Sequence, residues 1–177
     1  VWMSIITPAA STEQLRMLSD LTEPPIIVPV AGVLGTHQEK EVIVQDLIRR
    51  VRERLAVGGL AILATERILD PRHGDLRTGA RVMSVLTDIV SEVMGDLDGV
   101  VSKGGITSAQ IATAGLGAKS AFVRGQLAPG VSLWELAVTG GKKLQYAVIP
   151  GNVGGSGTIL EVVRQFGVRM DDGEARL

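Results

Sequence analysis

The sequence predicts a three-layer α/β fold, in which a mixed or largely parallel sheet carries helices on both faces. Two observations predict it. Short apolar runs alternate with helical segments along the chain, and several of these runs are uninterrupted, as is typical of strands covered on both faces. The clearest such run is Leu60 to Ala64, and the clearest helical spacing lies between Gln38 and Val57. The 177 residues suit one domain of ordinary size.

The remaining segments follow the same alternation. Strands are predicted at 1–6, 26–30, 97–101 and 146–149, and helices at 12–18, 78–94, 108–114 and 156–166. Loops are predicted at 32–37 and 70–78, a polar connection up to Lys143, and a polar tail at 170–177. Pro29 places the second strand at an edge or ends it early, because proline cannot donate to a ladder.

The composition is typical of a globular protein. Hydrophobic residues make up 45% of the chain, charged residues 21%, and the net charge is -1. The basic residues are interspersed with acidic ones, so no nucleic-acid partner is expected. No apolar stretch approaches the roughly 20 residues of a membrane span, and the chain has no cysteine, so we expect a cytoplasmic protein without a membrane partner. The first residue is Val1 rather than Met, which fits a segment excised from a longer protein.

Two glycine-rich turns are candidate ligand-binding loops. The first spans 102–108 and the second 149–158, and each follows a predicted strand and opens a predicted helix. Such turns gather at the carboxyl edge of an open α/β sheet, so together they predict one nucleotide cleft. Glycine lets backbone N–H groups approach a phosphate, and a helix N-terminus attracts it. Neither turn is a Walker A sequence or a dinucleotide-binding motif.

These features also have simpler explanations. Glycine-rich turns often only make tight connections, and the hydroxyl groups beside them often only cap helices. Lys103 either neutralises phosphate charge or is an ordinary solvated lysine. His37 and His73 lie in separate predicted loops without metal-ligand spacing, so neither is expected to bind a metal or to act in catalysis.

Four segments, with their order and spacing, carry a family resemblance. They are Ser-Lys-Gly-Gly-Ile-Thr-Ser at 102–108, Gly-Leu-Gly at 115–117, Gly-Gln-Leu-Ala-Pro-Gly-Val at 125–131 and Pro-Gly-Asn-Val-Gly-Gly at 150–155. They resemble the C-terminal domain of the four-carbon acid sugar kinases. The start of the chain, from Ser4 to Gln14, looks like a loosened version of the start of that domain. The resemblance therefore covers nearly the whole chain.

The resemblance implies that residues 1–177 form a single nucleotide-binding domain, the C-terminal half of a two-domain kinase that phosphorylates a tetronate-like sugar acid. ATP is the implied ligand, with ADP as its product, and Mg²⁺ is expected to arrive with the nucleotide. The implied nucleotide-binding residues are Ser4, Gly104, Gly105, Ile106, Thr107, Gly151, Gly154 and Gly155.

The Asp-Asp-rich motif of the family's N-terminal substrate domain does not occur in these 177 residues. No catalytic residue is therefore predicted, and the chain alone is expected to be inactive, because phosphoryl transfer also needs an oriented nucleophile. An N-terminal sugar-acid-binding domain or separate subunit is the expected partner, and a homo-oligomer is a further possibility. The alternative function is a non-catalytic nucleotide- or phosphate-binding module with a regulatory or structural role.

Overall fold

The computed structural model describes residues 1–6, 12–20, 22–66 and 76–168. These residues form seven strands in one sheet together with six α-helices. In chain order the elements are β1 (Trp2–Ile6), α1 (Thr12–Ser19), β2 (Ile26–Val28), α2 (Val30–Val33), α3 (His37–Gly58), β3 (Leu60–Thr65), α4 (Leu76–Val93), β4 (Gly99–Lys103), α5 (Gly105–Gln110), β5 (Ala121–Ala128), β6 (Val131–Ala137), β7 (Lys143–Ile149) and α6 (Thr158–Gln165). A π-helical turn (Ile111–Gly115) continues α5.

The strand order across the sheet is β2-β3-β1-β4-β7-β6-β5. The first five strands of that order are parallel, whereas β6 pairs antiparallel with both β7 and β5. The predicted mixed α/β sheet is therefore confirmed. The predicted effect of Pro29 on the second strand is also confirmed, because β2 lies at an edge of the sheet and ends at Val28.

Two hydrophobic clusters cover the two faces of the sheet. Helices α3 and α4 and the π-helical turn that continues α5 pack on one face, against side chains that include Met3, Ile5 and Leu63. Helices α1 and α6 pack on the other face, against side chains that include Ile6 and Ile62. Neighbouring residues of a strand point to opposite faces, and both faces are covered, so all six residues of β3 are buried.

Local sequence explains the limits of the longest helix, α3. Thr36 caps its N-terminus in a capping box with Glu39, and Gly59 ends it with φ 69. Val44, Leu47, Val51 and Leu55 form its buried stripe. None of the helices in the described ranges combines the length and apolar character that crossing a membrane would require.

The structure differs from the sequence-based expectation in the start of β7, which lies three residues before its predicted start, and at four further places. A short helix, α2, occupies part of the predicted loop at 32–37, and β4 lies two residues later than predicted. Helix α5 begins at Gly105, three residues before its predicted start. The polar connection before Lys143 contains the hairpin of β5 and β6. The predicted tail at 170–177 and most of the predicted loop at 70–78 lie outside the described residues, and Thr78 belongs to α4.

Candidate functional site

A crevice is expected at the carboxyl ends of β4 and β7. These strands are parallel neighbours, with Lys103 opposite Ile149. The chain leaves β4 for α5 on one face of the sheet and leaves β7 for α6 on the other face. Strand ends with diverging connections of this kind are where open α/β sheets bind ligands.

The two glycine-rich turns meet at this place. The amide of Gly104 donates to the carbonyl oxygen of Ile149 at 2.8 Å. A Cβ atom added to Gly151 would lie 4.0 Å from the Cα atom of Gly104. The adjacency predicted from the sequence is therefore present in the structure, although the two turns are more than 40 residues apart in the chain.

The first turn opens helix α5. Gly104 precedes the helix with φ 99 and ψ 134, a conformation that residues with a Cβ rarely adopt. Gly105 and Ile106 form an exposed first helical turn, with Ile106 80% exposed, and a Cβ at Gly105 would meet no atom within 4 Å. Thr107, by contrast, is buried. The first turn therefore offers one open backbone position and one exposed apolar side chain.

A buried polar network lies beneath the start of α5. The Ser108 hydroxyl donates to the Ser102 hydroxyl at 3.2 Å, and the Tyr146 hydroxyl donates to the Ser108 carbonyl oxygen at 2.8 Å. Burial raises the pKa of Tyr146 well above its ordinary value. These contacts tie α5 to strands β4 and β7 and so hold the first turn against the sheet.

The second turn, here called the 150–157 loop, is exposed at Gly151, Gly154 and Gly155. Gly154 has φ 91, and a Cβ atom there would lie 2.7 Å from the Cβ atom of Thr158. Among the described residues, none accepts a hydrogen bond from the backbone N–H groups of these three glycines. Unpartnered amides in an exposed glycine loop form the kind of concavity that binds anions.

The Lys103 side chain is buried against this loop. Its residue is only 3% exposed, so the solvated lysine considered from the sequence is wrong. Its Nζ atom donates to the carbonyl oxygens of Pro150 at 3.2 Å, Gly151 at 3.3 Å and Val153 at 3.2 Å. An ammonium group has three N–H donors, and these three acceptors match them in number. Burial lowers the pKa of Lys103 below its usual range.

Gln14 holds the same loop from helix α1 and was not predicted as a site residue. It is 4% exposed, and its Nε2 atom donates to the carbonyl oxygens of Gly155 at 2.6 Å and Gly154 at 3.4 Å. Its Oε1 atom has no hydrogen-bond partner within the described ranges. The sequence did contain one indication of this role. Gln14 lies four residues before the buried Leu18, so it shares the buried face of α1 although it is polar.

Ser4 is separate from the exposed loops. It lies in β1 between Ile62 and Val101, two residues before the end of the strand, and is completely buried. Its hydroxyl has no hydrogen-bond partner in the part of the chain that is described. Its role in nucleotide binding stays a prediction.

Metal ligands are not clustered in the described ranges, where no group of three or more His, Cys, Asp or Glu side chains could hold an ion. His37 is the first residue of α3, and His73 lies outside the described residues. The exposed glycine amides of the 150–157 loop are polar groups that have no acceptor among the described residues.

An α/β sheet with two glycine-rich turns at adjacent carboxyl ends has the arrangement of a nucleotide-binding domain. The sequence agrees, because residues 7–159 match the model of the nucleotide-binding C-terminal domain family. The chain belongs to this family, and the resemblance drawn from its motifs is confirmed. No curated protein matches the sequence.

Solved structures share the fold. A domain of unknown function (DUF1537) from Bordetella bronchiseptica, a domain-swapped dimer with bound citrate, has a TM-score of 0.69 and 17% identity over 96% of this chain and 41% of its own. A Salmonella typhimurium LT2 protein described as a candidate tRNA synthase has a TM-score of 0.74 and 17% identity over 93% of this chain and 40% of its own. The chain thus spans about two fifths of the length of these proteins.

Proposed function

We propose that this chain binds ATP in the crevice between the 102–108 turn and the 150–157 loop. In this proposal it is the nucleotide-binding half of a kinase that phosphorylates a four-carbon sugar acid. The observation that carries the proposal is the contact between the two turns, one of which has exposed amides without acceptors among the described residues. Its membership of the nucleotide-binding family supports the same ligand class.

The polyphosphate suits the 150–157 loop. The amides of Gly151, Gly154 and Gly155 supply donors for phosphate oxygens, and the N-terminus of α6 adds its positive dipole end. Gly104 to Thr107 would line the other side of the nucleotide, where the exposed Ile106 side chain offers an apolar contact to the base or ribose. Mg²⁺ would arrive with the nucleotide and neutralise phosphate charge, which requires no cluster of protein carboxylates.

The acceptor side of the reaction would come from a second domain or subunit. The solved structures with this fold are more than twice as long as this chain, which leaves room in them for a substrate domain. The citrate bound to the Bordetella protein supports an acid as the substrate class, and the domain-swapped dimer of that protein supports a homo-oligomer. We propose that transfer requires such a partner and takes place in the cytoplasm.

Calorimetric titration with Mg²⁺ and either ATP or ADP tests the proposal, using the wild-type chain, Gly105→Asp and the matched variant Gly105→Asn. A Cβ at residue 105 meets no atom within 4 Å, so both variants should fold. We expect saturable binding by the wild-type chain and at least about a tenfold weaker affinity for Gly105→Asp than for Gly105→Asn. Residue 105 follows Gly104, which adjoins Gly151 of the proposed phosphate loop, and only the carboxylate repels phosphate.

Thermal unfolding supplies the control. An acidic side chain in the first turn of a helix is stabilising, so Gly105→Asp should unfold no earlier than Gly105→Asn. If the folded wild-type chain bound neither nucleotide, the ATP proposal would be wrong. Binding without any phosphoryl transfer, even after a substrate domain is supplied, would favour the non-catalytic module.

A further inference from the structure

The carbonyl groups of the 150–157 loop are held by two buried side chains from distant parts of the chain. Lys103 of β4 binds the carbonyl oxygens of Pro150, Gly151 and Val153. Gln14 of α1 binds those of Gly154 and Gly155. Of the six consecutive residues 150–155, only Asn152 has a carbonyl group outside this pair of contacts.

The directions of these carbonyl groups fix the directions of the neighbouring backbone N–H groups. In a trans peptide the C=O of one residue and the N–H of the next point in opposite directions. The carbonyl groups of Pro150, Val153 and Gly154 point toward Lys103 or Gln14, so the N–H groups that follow them point away. Those N–H groups belong to Gly151, Gly154 and Gly155, the three glycines of the loop that are implicated in nucleotide binding.

We propose that Lys103 and Gln14 are positioning residues that set the 150–157 loop in its phosphate-binding conformation without contacting the phosphate. This proposal rests on the proposed nucleotide site and adds the residues that fix the conformation of its loop. Lys103 acts through the loop because its three donors already have backbone acceptors. Gln14 makes the loop conformation depend on the docking of α1 against the sheet.

Methionine substitutions separate this role from ordinary structural support. Lys103→Met and Gln14→Met keep most of the side-chain volume and remove the donors. Each also removes a feature that costs stability. In Lys103 this is a buried charge, and in Gln14 it is a buried oxygen that has no partner among the described residues. We therefore expect both variants to unfold at or near the wild-type temperature, while their affinity for ATP and for pyrophosphate falls at least about tenfold.

Lys142→Met is the matched control. The Nζ atom of Lys142 also donates to a backbone carbonyl, that of Gly95 at 2.9 Å, but it lies at the amino end of β7, the opposite edge of the sheet. This variant loses the same charge and should bind ATP with wild-type affinity. An equal loss of affinity in Lys142→Met would show that net charge decides binding, and would overturn the proposal.

A chemical rescue tests whether the ammonium group itself is required. The chain has no cysteine, so Lys103→Cys introduces a unique thiol that can be aminoethylated in denaturant and then refolded. This treatment restores an ammonium group on a side chain of lysine length. We expect affinity to be lost in Lys103→Cys and regained after modification, and a failure to regain it in the refolded protein would count against the proposal.

Amide chemical shifts of the nucleotide-free protein separate this proposal from the proposed function. The amide signals of Gly151, Gly154 and Gly155 should move or broaden in Lys103→Met and Gln14→Met and stay unchanged in Lys142→Met. Unchanged loop signals, or wild-type affinity in both methionine variants, would overturn the positioning role. Perturbed loop signals in a chain whose wild-type form binds no nucleotide would support loop positioning and contradict the nucleotide proposal.

Discussion

Tyr146, the single tyrosine of the chain, is buried beneath α5 and donates to the Ser108 carbonyl oxygen. Burial raises its pKa in the folded protein, whereas the unfolded chain should ionise near pH 10. The folded state therefore keeps a proton that the unfolded state loses at alkaline pH. The stabilising contribution of Tyr146 is full below about pH 10 and falls as the pH rises above it.

We predict that native protein shows no phenolate absorbance just above pH 10 and that the signal appears only on unfolding. Tyr146→Phe should lower the free energy of unfolding by about 1 kcal/mol at neutral pH, and it should not show the loss of stability above about pH 10 that Tyr146 causes.

Lys103 has the opposite effect on stability in the wild-type protein and in Tyr146→Phe alike. Because burial lowers the pKa of Lys103, its effect makes the free energy of unfolding rise with pH up to the ordinary lysine value of 10.5. Comparing the two proteins at each pH removes that shared contribution, and parallel alkaline profiles would contradict the prediction.

Gly154 and Gly155 are neighbours with different conformational demands. Gly154 has φ 91 and no room for a Cβ atom beside Thr158, whereas Gly155 has neither restriction. We predict that Gly154→Ala lowers the free energy of unfolding by about 1–2 kcal/mol or more, while Gly155→Ala changes it by less than about 0.5 kcal/mol. Denaturant unfolding measures both, and equal effects would argue against this loop conformation.

Among the elements, α3 depends on a cap that was not singled out from its sequence. The Thr36 hydroxyl accepts from the Glu39 amide at 3.3 Å, and the Glu39 carboxylate accepts from the Thr36 amide at 2.7 Å. The backbone hydrogen bond from Thr36 is the main cause of a lowered Glu39 pKa. The contribution of the pair is therefore present above the unfolded carboxyl pKa of about 4.3 and is lost as the pH falls through the lower, folded value.

We predict that Thr36→Ala lowers the free energy of unfolding by about 1 kcal/mol at neutral pH. The effect should be smaller in acid, because the Thr36 hydroxyl also donates to the Glu39 carboxylate at 2.8 Å and protonation of that carboxylate weakens the contact. Thr113→Ala is the control, because the Thr113 hydroxyl is exposed and only donates to the Ala109 carbonyl oxygen within its own helical segment. That variant should stay within about 0.5 kcal/mol of wild type. A larger effect for Thr113→Ala than for Thr36→Ala would contradict the assigned cap.

For the molecule as a whole, the order of the strands brings the site together. Because β7 returns to lie beside β4, the turns that follow these strands become neighbours, and their helices leave toward opposite faces. The hairpin of β5 and β6 extends the sheet on the far side of β7, and its turn at Gly130 lies beside Val153 of the 150–157 loop. In the proposed function the two glycine-rich turns contact the nucleotide, and the partner domain would bind the sugar acid.

The sequence by itself determined the α/β class, the buried parallel strands and the long helices, because continuous apolar runs and helical spacing record local burial. It also predicted that the glycine turns would meet, since strand ends share an edge. It did not predict β5, whose residues 121–126 are exposed and so lack a burial pattern. The early start of α5 was likewise missed, because two glycines suggested a loop.

Only the tertiary structure decided what Lys103 and Gln14 do. Their carbonyl partners lie up to 50 and 141 residues away in the chain, so no local pattern records the contacts. The sequence left Lys103 as either a phosphate-neutralising or a solvated lysine, and it did not single out Gln14 as a site residue. Burial against a neighbouring loop removed water as their partner, and the carbonyl groups of that loop supplied the acceptors instead.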